Sequence, residues 1–176
     1  MIWQLSNRAD RRVREIADRH YNRQHVGSPQ FVPPGRCLVL YAETETGKAF
    51  WVTSWPFAEY THHAWAGAWV CSAFRNEGAG IASELIKQAL AATVWKFGKP
   101  PEKGMITFID TTKVKPTMVH GRKTYGRTYE KVGFKLVGES KVNHLLCFQL
   151  LPEDFPEAER PRGEFQLSIF DEETNT

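Results

Sequence analysis

Three cysteines in 176 residues, Cys37, Cys71 and Cys147, are too few and too widely spaced for a disulfide frame or a zinc cluster. Each lies in an apolar, strand-like run, which predicts buried, reduced thiols and a cytoplasmic protein. No apolar run reaches the length of a bilayer span, so no membrane segment is expected. Residues 1–14 are basic but lack the apolar stretch of a signal peptide. No internal repeat is visible. With these classes set aside, a chain that is 41% hydrophobic and 24% charged is ordinary enough to fold as one domain with its own core.

Charge is unevenly placed. The net charge of +3 conceals 21 basic and 12 acidic residues in 1–152, whereas eight acids against Arg160 and Arg162 follow from Glu153 onward. A basic body with an acidic tail points to a polyanionic partner, nucleic acid first; a merely soluble basic domain would read the same from charge alone.

Hydrophobic spacing predicts the order of elements. Arg8 to Tyr21 sets Val13, Ile16 and Ala17 at helical spacing with arginines between them, an amphipathic basic helix. Residues 22–35 read as a Gly-, Pro- and Gln-rich loop. Cys37–Ala42 and Ala49–Thr53 read as strands of a hairpin turning at Glu45–Lys48. An aromatic loop, Trp55 to His63, leads to a third strand, Ala64 to Phe74. A glycine loop follows. Ile81 to Trp95 then carries Ile81, Leu85, Ile86, Ala89, Leu90 and Val94 along one side of a helix. Met105–Ile109 is an apolar strand ending at Asp110, and Thr111 to Thr124 a basic loop. Tyr125 to Val132 reads as a short helix stopped by Gly133, and residues 134–137 and 145–151 as closing strands. From Pro152 the chain reads as a flexible acidic tail ending in a non-random peptide. The expected fold is α/β, a mixed central sheet with flanking helices. One domain spans 1–151, with a tail over 152–176, and the middle strand–loop–helix–strand unit should cross over right-handed.

The segment Arg75-Asn76-Glu77-Gly78-Ala79-Gly80 lies between strand and helix. Glycines allow close backbone approach, and the first N–H groups of a helix face outward unpaired, which together make a phosphate cradle. This points to a pyrophosphate-bearing cosubstrate. With Tyr129-Glu130-Lys131-Val132-Gly133-Phe134 added, the order resembles the GNAT superfamily of acetyl-CoA-dependent acetyltransferases. Arg75-x-x-Gly78-x-Gly80 sits where that superfamily has its pyrophosphate loop. Tyr-x-x-x-Gly-Phe looks like its second signature, which packs against the cosubstrate arm.

A narrower resemblance covers most of residues 18–151. It rests on His20-Tyr21, Pro33-Pro34-Gly35-Arg36, Phe74 to Gly78, Gly104 to Asp110 with Lys113-Val114-Lys115, and Gly121-Arg122. These look like the Mom-type DNA-modification proteins of phages and prophages. Those are divergent GNAT-fold enzymes that convert the adenine N6 amine of DNA to a carbamoylmethyl derivative and so protect phage DNA from restriction. The resemblance implies a cosubstrate held by Arg75, Asn76, Glu77, Gly78, Ala79 and Gly80. Its donor would be acetyl-CoA or another acyl or aminoacyl carrier, and the setting the host-cell cytoplasm.

Several side chains could carry the chemistry. Asp110, ending a core strand, could hold or deprotonate an amine, or simply cap the next turn. The resemblance implies Tyr129 as general acid, with Tyr125 a weaker rival; otherwise Tyr129 is a packing aromatic. His20 and Tyr21 stand where Mom-type proteins carry such a pair near the site. His20, His25 and Asp110 would form a set suited to non-haem iron, against a plain surface histidine at a helix end. His62 and His63, among Trp55, Phe57, Tyr60 and Trp65, could stack an extruded base or form a small apolar cluster. Arg8, Arg11, Arg12 and Arg19 on the first helix, with Arg36, Lys113, Lys115, Arg122 and Lys123, could lie along the phosphates of double-stranded DNA, or be a solvated face.

Gln166-Leu167-Ser168-Ile169-Phe170, within the tail, resembles the short peptide by which bacterial DNA-processing proteins dock on the replication sliding clamp. Leu167, Ile169 and Phe170 would be the apolar anchors and Gln166 the polar guide; the alternative is a segment folding back as an extra strand. Two rival functions stay open. One is an ordinary acetyl-CoA N-acetyltransferase for a small amine or protein; the other is a non-catalytic, clamp-associated DNA-binding protein.

Overall fold

Val39, Tyr41, Phe50 and Val52 alternate with Leu38, Leu40, Ala49 and Trp51, so two consecutive strands are apolar on both faces and must be covered twice. The computed structural model describes residues 1–20 and 35–163. The elements are β1 (Gln4–Leu5), α1 (Arg11–Ala17), β2 (Arg36–Thr44), β3 (Gly47–Trp55), β4 (Trp69–Glu77), α2 (Ala82–Phe97) and β5 (Met105–Ile109). There follow β6 (Thr117–Val119), β7 (Arg122–Thr124), α3 (Arg127–Glu130), β8 (Lys135–Glu139) and β9 (Leu146–Leu150). Single 3-10 turns stand at Ala58–Tyr60 and Pro152–Asp154.

The result is one mixed α/β domain. Its seven-stranded sheet runs β1-β2-β3-β4-β5-β9-β8, and every neighbouring pair is antiparallel except β4 with β5. On one face α2 buries Leu85, Ile86, Ala89 and Leu90 against Leu40, Trp51, Trp69, Met105 and Phe148. On the other, α1 sets Val13, Ile16 and Ala17 against Val39, Tyr41, Phe50 and Val52. Each large apolar side chain so buried contributes on the order of 1.5–3 kcal/mol, which locks both helices to the sheet. Cys71 and Cys147 are buried and all three cysteines are free. No helix among the described residues is long and apolar enough to cross a membrane.

Four expectations change. The first helix is shorter than Arg8–Tyr21, beginning at Arg11 under an Asp10 cap that accepts from the Arg12 N–H and ending at Ala17. The strand expected over Ala64–Phe74 instead runs from Trp69 to Glu77: residues 64–68 form a turn, and Arg75 and Asn76 pair with Phe50 and Ala49 of β3. Residues 111–124 are not all loop: β6 and β7 form a two-stranded ribbon. Its turn is His120-Gly121, both residues at positive φ (49° and 76°), the backbone that matches the twist of a tight hairpin. Finally, residues 152–163 are docked and not a flexible linker. Phe155 packs edge-on against Trp69 at 5.6 Å, and Glu159 N–H donates to Ala91 O. Arg162 exchanges backbone hydrogen bonds with Trp3 and Leu5. Only residues 164–176 could form the tail, and they lie outside the described residues.

Candidate active site

The parallel pair at the middle of the sheet is very short. β4 and β5 are in register only at Trp69–Met105 and Val70–Ile106. One residue further, the Thr107 hydroxyl donates to Cys71 O at 3.4 Å. At the same level β4 carries a bulge: Thr53 faces Cys71 and Val52 faces Ala73, leaving Ser72 as the extra residue. A bulge bends its strand and re-aims the side chains beyond it. The strands part there and enclose a cleft of about 190 Å³, at the C-terminal ends of the parallel pair where open sheets collect their ligands.

His20, Tyr129, Cys71 and Thr107 all line this cleft, with Phe74, Ile109 and Val114. Tyr129 is set there by its own helix start. Gly126, at φ 69°, precedes α3, and a Cβ on it would lie 2.5 Å from the Phe148 ring, so only glycine lets α3 sit this low on β9. The Tyr129 ring meets Phe134 edge-on at 5.4 Å, and its hydroxyl lies 3.7 Å from Cys71 Sγ. Burial pushes the Cys71 thiol up to about 12, so it stays neutral and forms wall rather than nucleophile.

His20 is buried just beyond α1. Its Nε2–H donates to Phe74 O at 3.2 Å, and its ring packs edge-on against Phe50. The preceding Arg19 grips Glu77 through two guanidinium nitrogens at 2.6 and 2.8 Å, so the end of α1 is tied to the end of β4.

Asp110 stands beside the cleft, between two lining residues, but its carboxylate turns into its own loop. Oδ1 accepts from the Thr112 hydroxyl at 2.6 Å and the Thr112 N–H at 3.0 Å. Those bonds hold its carboxyl below the usual range. This is the turn-capping geometry foreseen as the alternative to catalysis.

The Arg75–Gly80 segment is half sheet and half turn. Asn76 Oδ1 accepts from the Ala79 N–H, its amide donates to Gly80 O, and the Thr46 hydroxyl donates to Gly78 O at 2.6 Å. A Cβ on Gly47 would fall 1.9 Å from Glu77 O, so the β2–β3 turn presses directly on this segment. Arg75 Nε is bonded to Glu77 at 2.8 Å. What remains open for an anion is the start of α2, where Ile81 is the cap position and offers no side-chain bond. None of residues 75–84 is among those lining the cleft, and the first turn of α2 carries Glu84.

The basic candidates divide. Arg12 is paired with Asp10 at 2.8 Å and lies over the Tyr41 ring; Arg19 is held by Glu77; Arg36 stacks on Trp55 at 4.5 Å. Lys113, Lys115, Arg122 and Lys123 are exposed and gathered on the β6–β7 ribbon and its approach. Of the aromatic loop, His63 and Trp65 pack on Phe108, which also lines the cleft, while Phe57 and Tyr60 form an exposed pair. Tyr21, His25, Pro33 and Pro34 lie outside the described residues, as do Gln166, Leu167, Ser168, Ile169 and Phe170. Among the described residues no three His, Cys, Asp or Glu side chains form a metal-binding group.

Sequence reading missed the Thr107–Cys71 tie and the Ser72 bulge. The available signal was small: a threonine and a serine–cysteine pair interrupting otherwise apolar strands. Comparison with models of known protein families finds no match, and neither does comparison with curated proteins or with solved structures.

Proposed function

We propose that this chain is a GNAT-like enzyme that modifies the N6 amine of adenine in DNA, in the manner of the Mom-type proteins it resembles. The observation that carries the proposal is the parting of β4 and β5 at a bulge, with His20 and Tyr129 on the walls of the gap. An elongated donor would lie in such a gap with its anionic end towards the start of α2. When bound it would supply the acyl-type group to be transferred.

The residues divide the remaining work. Ala73, Phe74, Phe108, Ile109 and Val114 give the cleft largely apolar walls. An exocyclic amine that gains a carbon must lose one proton, and the donor's leaving group must gain one. Tyr129, whose hydroxyl points at the neutral Cys71 thiol, is placed to give a proton. His20, oriented by Phe74 O on the cleft wall, is the candidate to take one. Asp110 acts by fixing the loop that carries Val114 into the cleft wall. Adenine N6 is paired within a duplex, so the base must be extruded to reach the cleft. The exposed lysines and arginines near its mouth support a DNA substrate. The C-terminal peptide would tether the enzyme to a sliding clamp and so to new DNA.

The test is mass spectrometry of nucleosides from DNA of cells expressing the protein. A modified deoxyadenosine is expected with wild type and not with Tyr129→Phe. Unmodified DNA alongside abundant folded protein would remove the proposal. Stoichiometric acetyl-CoA binding without DNA affinity would favour an ordinary N-acetyltransferase using the same gap.

A further inference from the structure

Val114 and Thr128 line the same cleft, and the chain between them leaves and returns as the β6–β7 ribbon. Both feet of the ribbon are therefore planted on the cleft wall. Residues 111–129 contain Lys113, Lys115, Arg122, Lys123 and Arg127, together with His120, and no acid at all. The tight turn at His120-Gly121 makes this a defined two-stranded projection.

Its side chains are sorted by register. Met118 is opposite Lys123 and Val119 is opposite Arg122, and cross-strand partners share a face. One face of the tip thus carries Met118 beside Lys123, and the other Val119 beside Arg122. Met118 is 59% exposed although it is the largest apolar side chain of the ribbon. An uncovered methionine beside a lysine, on a ribbon with no acid, is poorly suited to a protein-core partner and well suited to a polyanion with an apolar interior. Double-stranded DNA is such a molecule: phosphates outside, stacked bases within. β-ribbon arms enter its grooves, and apolar side chains including methionine unstack base steps when pushed between them.

Resting on the DNA reading above, we infer that the β6–β7 ribbon is a duplex-inserting arm. Its Arg122 and Lys123 hold phosphates while Met118 wedges into the stack and fills the place of the base delivered to the cleft.

The test uses the full chain without any donor and a mixed-sequence DNA duplex. A base drawn out of the helix leaves its partner thymine unstacked and reactive to permanganate, so the target sequence need not be known. Wild type should bind and produce hyper-reactive thymines. Met118→Ala, assayed at concentrations that saturate the duplex, should lower that reactivity about fivefold or more, since the wedge is gone. The double variant Arg122→Ala/Lys123→Ala should weaken binding of every sequence and reduce the salt slope by about two. Full thymine reactivity in Met118→Ala, or wild-type affinity and salt slope in the double variant, overturns the inference alone. A wild-type protein that does not bind duplex DNA overturns the DNA reading with it.

Discussion

The Thr107 hydroxyl reaches back across the sheet to Cys71 O, one residue beyond the last registered pair of β4 and β5. It sets the level at which the cleft begins. Thr107→Val keeps the shape and deletes the bond, leaving a buried carbonyl short of its donor. The expected cost is about 1–3 kcal/mol of unfolding free energy by urea titration. A variant as stable as wild type would show that this bond is not what ties the two strands at that level.

Tyr129→Phe retains the ring that packs on Phe134 and removes only the hydroxyl. Stability should change by about 1 kcal/mol or less. If Tyr129 gives a proton in catalysis, modification of DNA should fall by about a hundredfold or more. Equal formation of modified nucleoside in time-resolved assays of the two proteins would return Tyr129 to a packing role.

Glu77 is drawn down to about 2, first by the hydrogen bonds from Arg19 and then by Arg75. Its folded value lies below its ordinary 4.5, so its contribution is complete above that pH and is lost as pH falls towards 2. The group is near the surface and screened, which limits the effect to about 1 kcal/mol. Glu77→Gln should therefore be less stable than wild type at neutral pH. The gap should close on acidification through that window, measured by thermal melts at stepped pH. A gap that persists at pH 2 would place the effect outside this ion pair.

Two buried tryptophans should respond differently to the same change. Trp51 Nε1–H donates to the Thr53 hydroxyl at 2.7 Å, which meets Thr93, which in turn donates to Ala89 O of α2. Among the described residues the buried Trp69 Nε1 has no hydrogen-bond partner, lying instead among Trp55, Phe97 and Phe155. Trp51→Phe loses ring volume and a buried bond, whereas Trp69→Phe loses volume alone. Trp51→Phe should be the costlier by about 1 kcal/mol in denaturant unfolding. The reverse order would mean that the Thr53–Thr93 link is self-sufficient.

The central helix is readable because its apolar positions recur along one stripe: Leu85, Ile86, Ala89 and Leu90 are buried and Val94 partly so, whereas Ile81, placed on the same side, is the cap residue and 71% exposed. The hairpin of β2 and β3 was readable from two runs of β-formers around a turn. Three of the candidate arginines have partners that the sequence does not reveal, for one reason. Arg36 faces Trp55 across the hairpin, a pairing that exists only once register is set. Arg19 meets Glu77 far along the chain, and Arg12 has Asp10 two residues away. Charge read along a line cannot show which cations are already answered in space. The docking of Phe155 escaped notice because its neighbours, prolines and acids, belong to a surface composition. The Ser72 bulge was invisible because one extra residue alters pairing without altering composition.

A seven-stranded sheet sewn together at its centre by two residue pairs is mechanically two plates on a short hinge: β1 to β4 on one side, and β5, β9 and β8 on the other. Beyond the hinge the facing edges are met by side chains instead of by each other, Cys71 O by the Thr107 hydroxyl and Phe74 O by His20. Occupancy of the gap should then be felt at the outermost strands, far from any reacting atom.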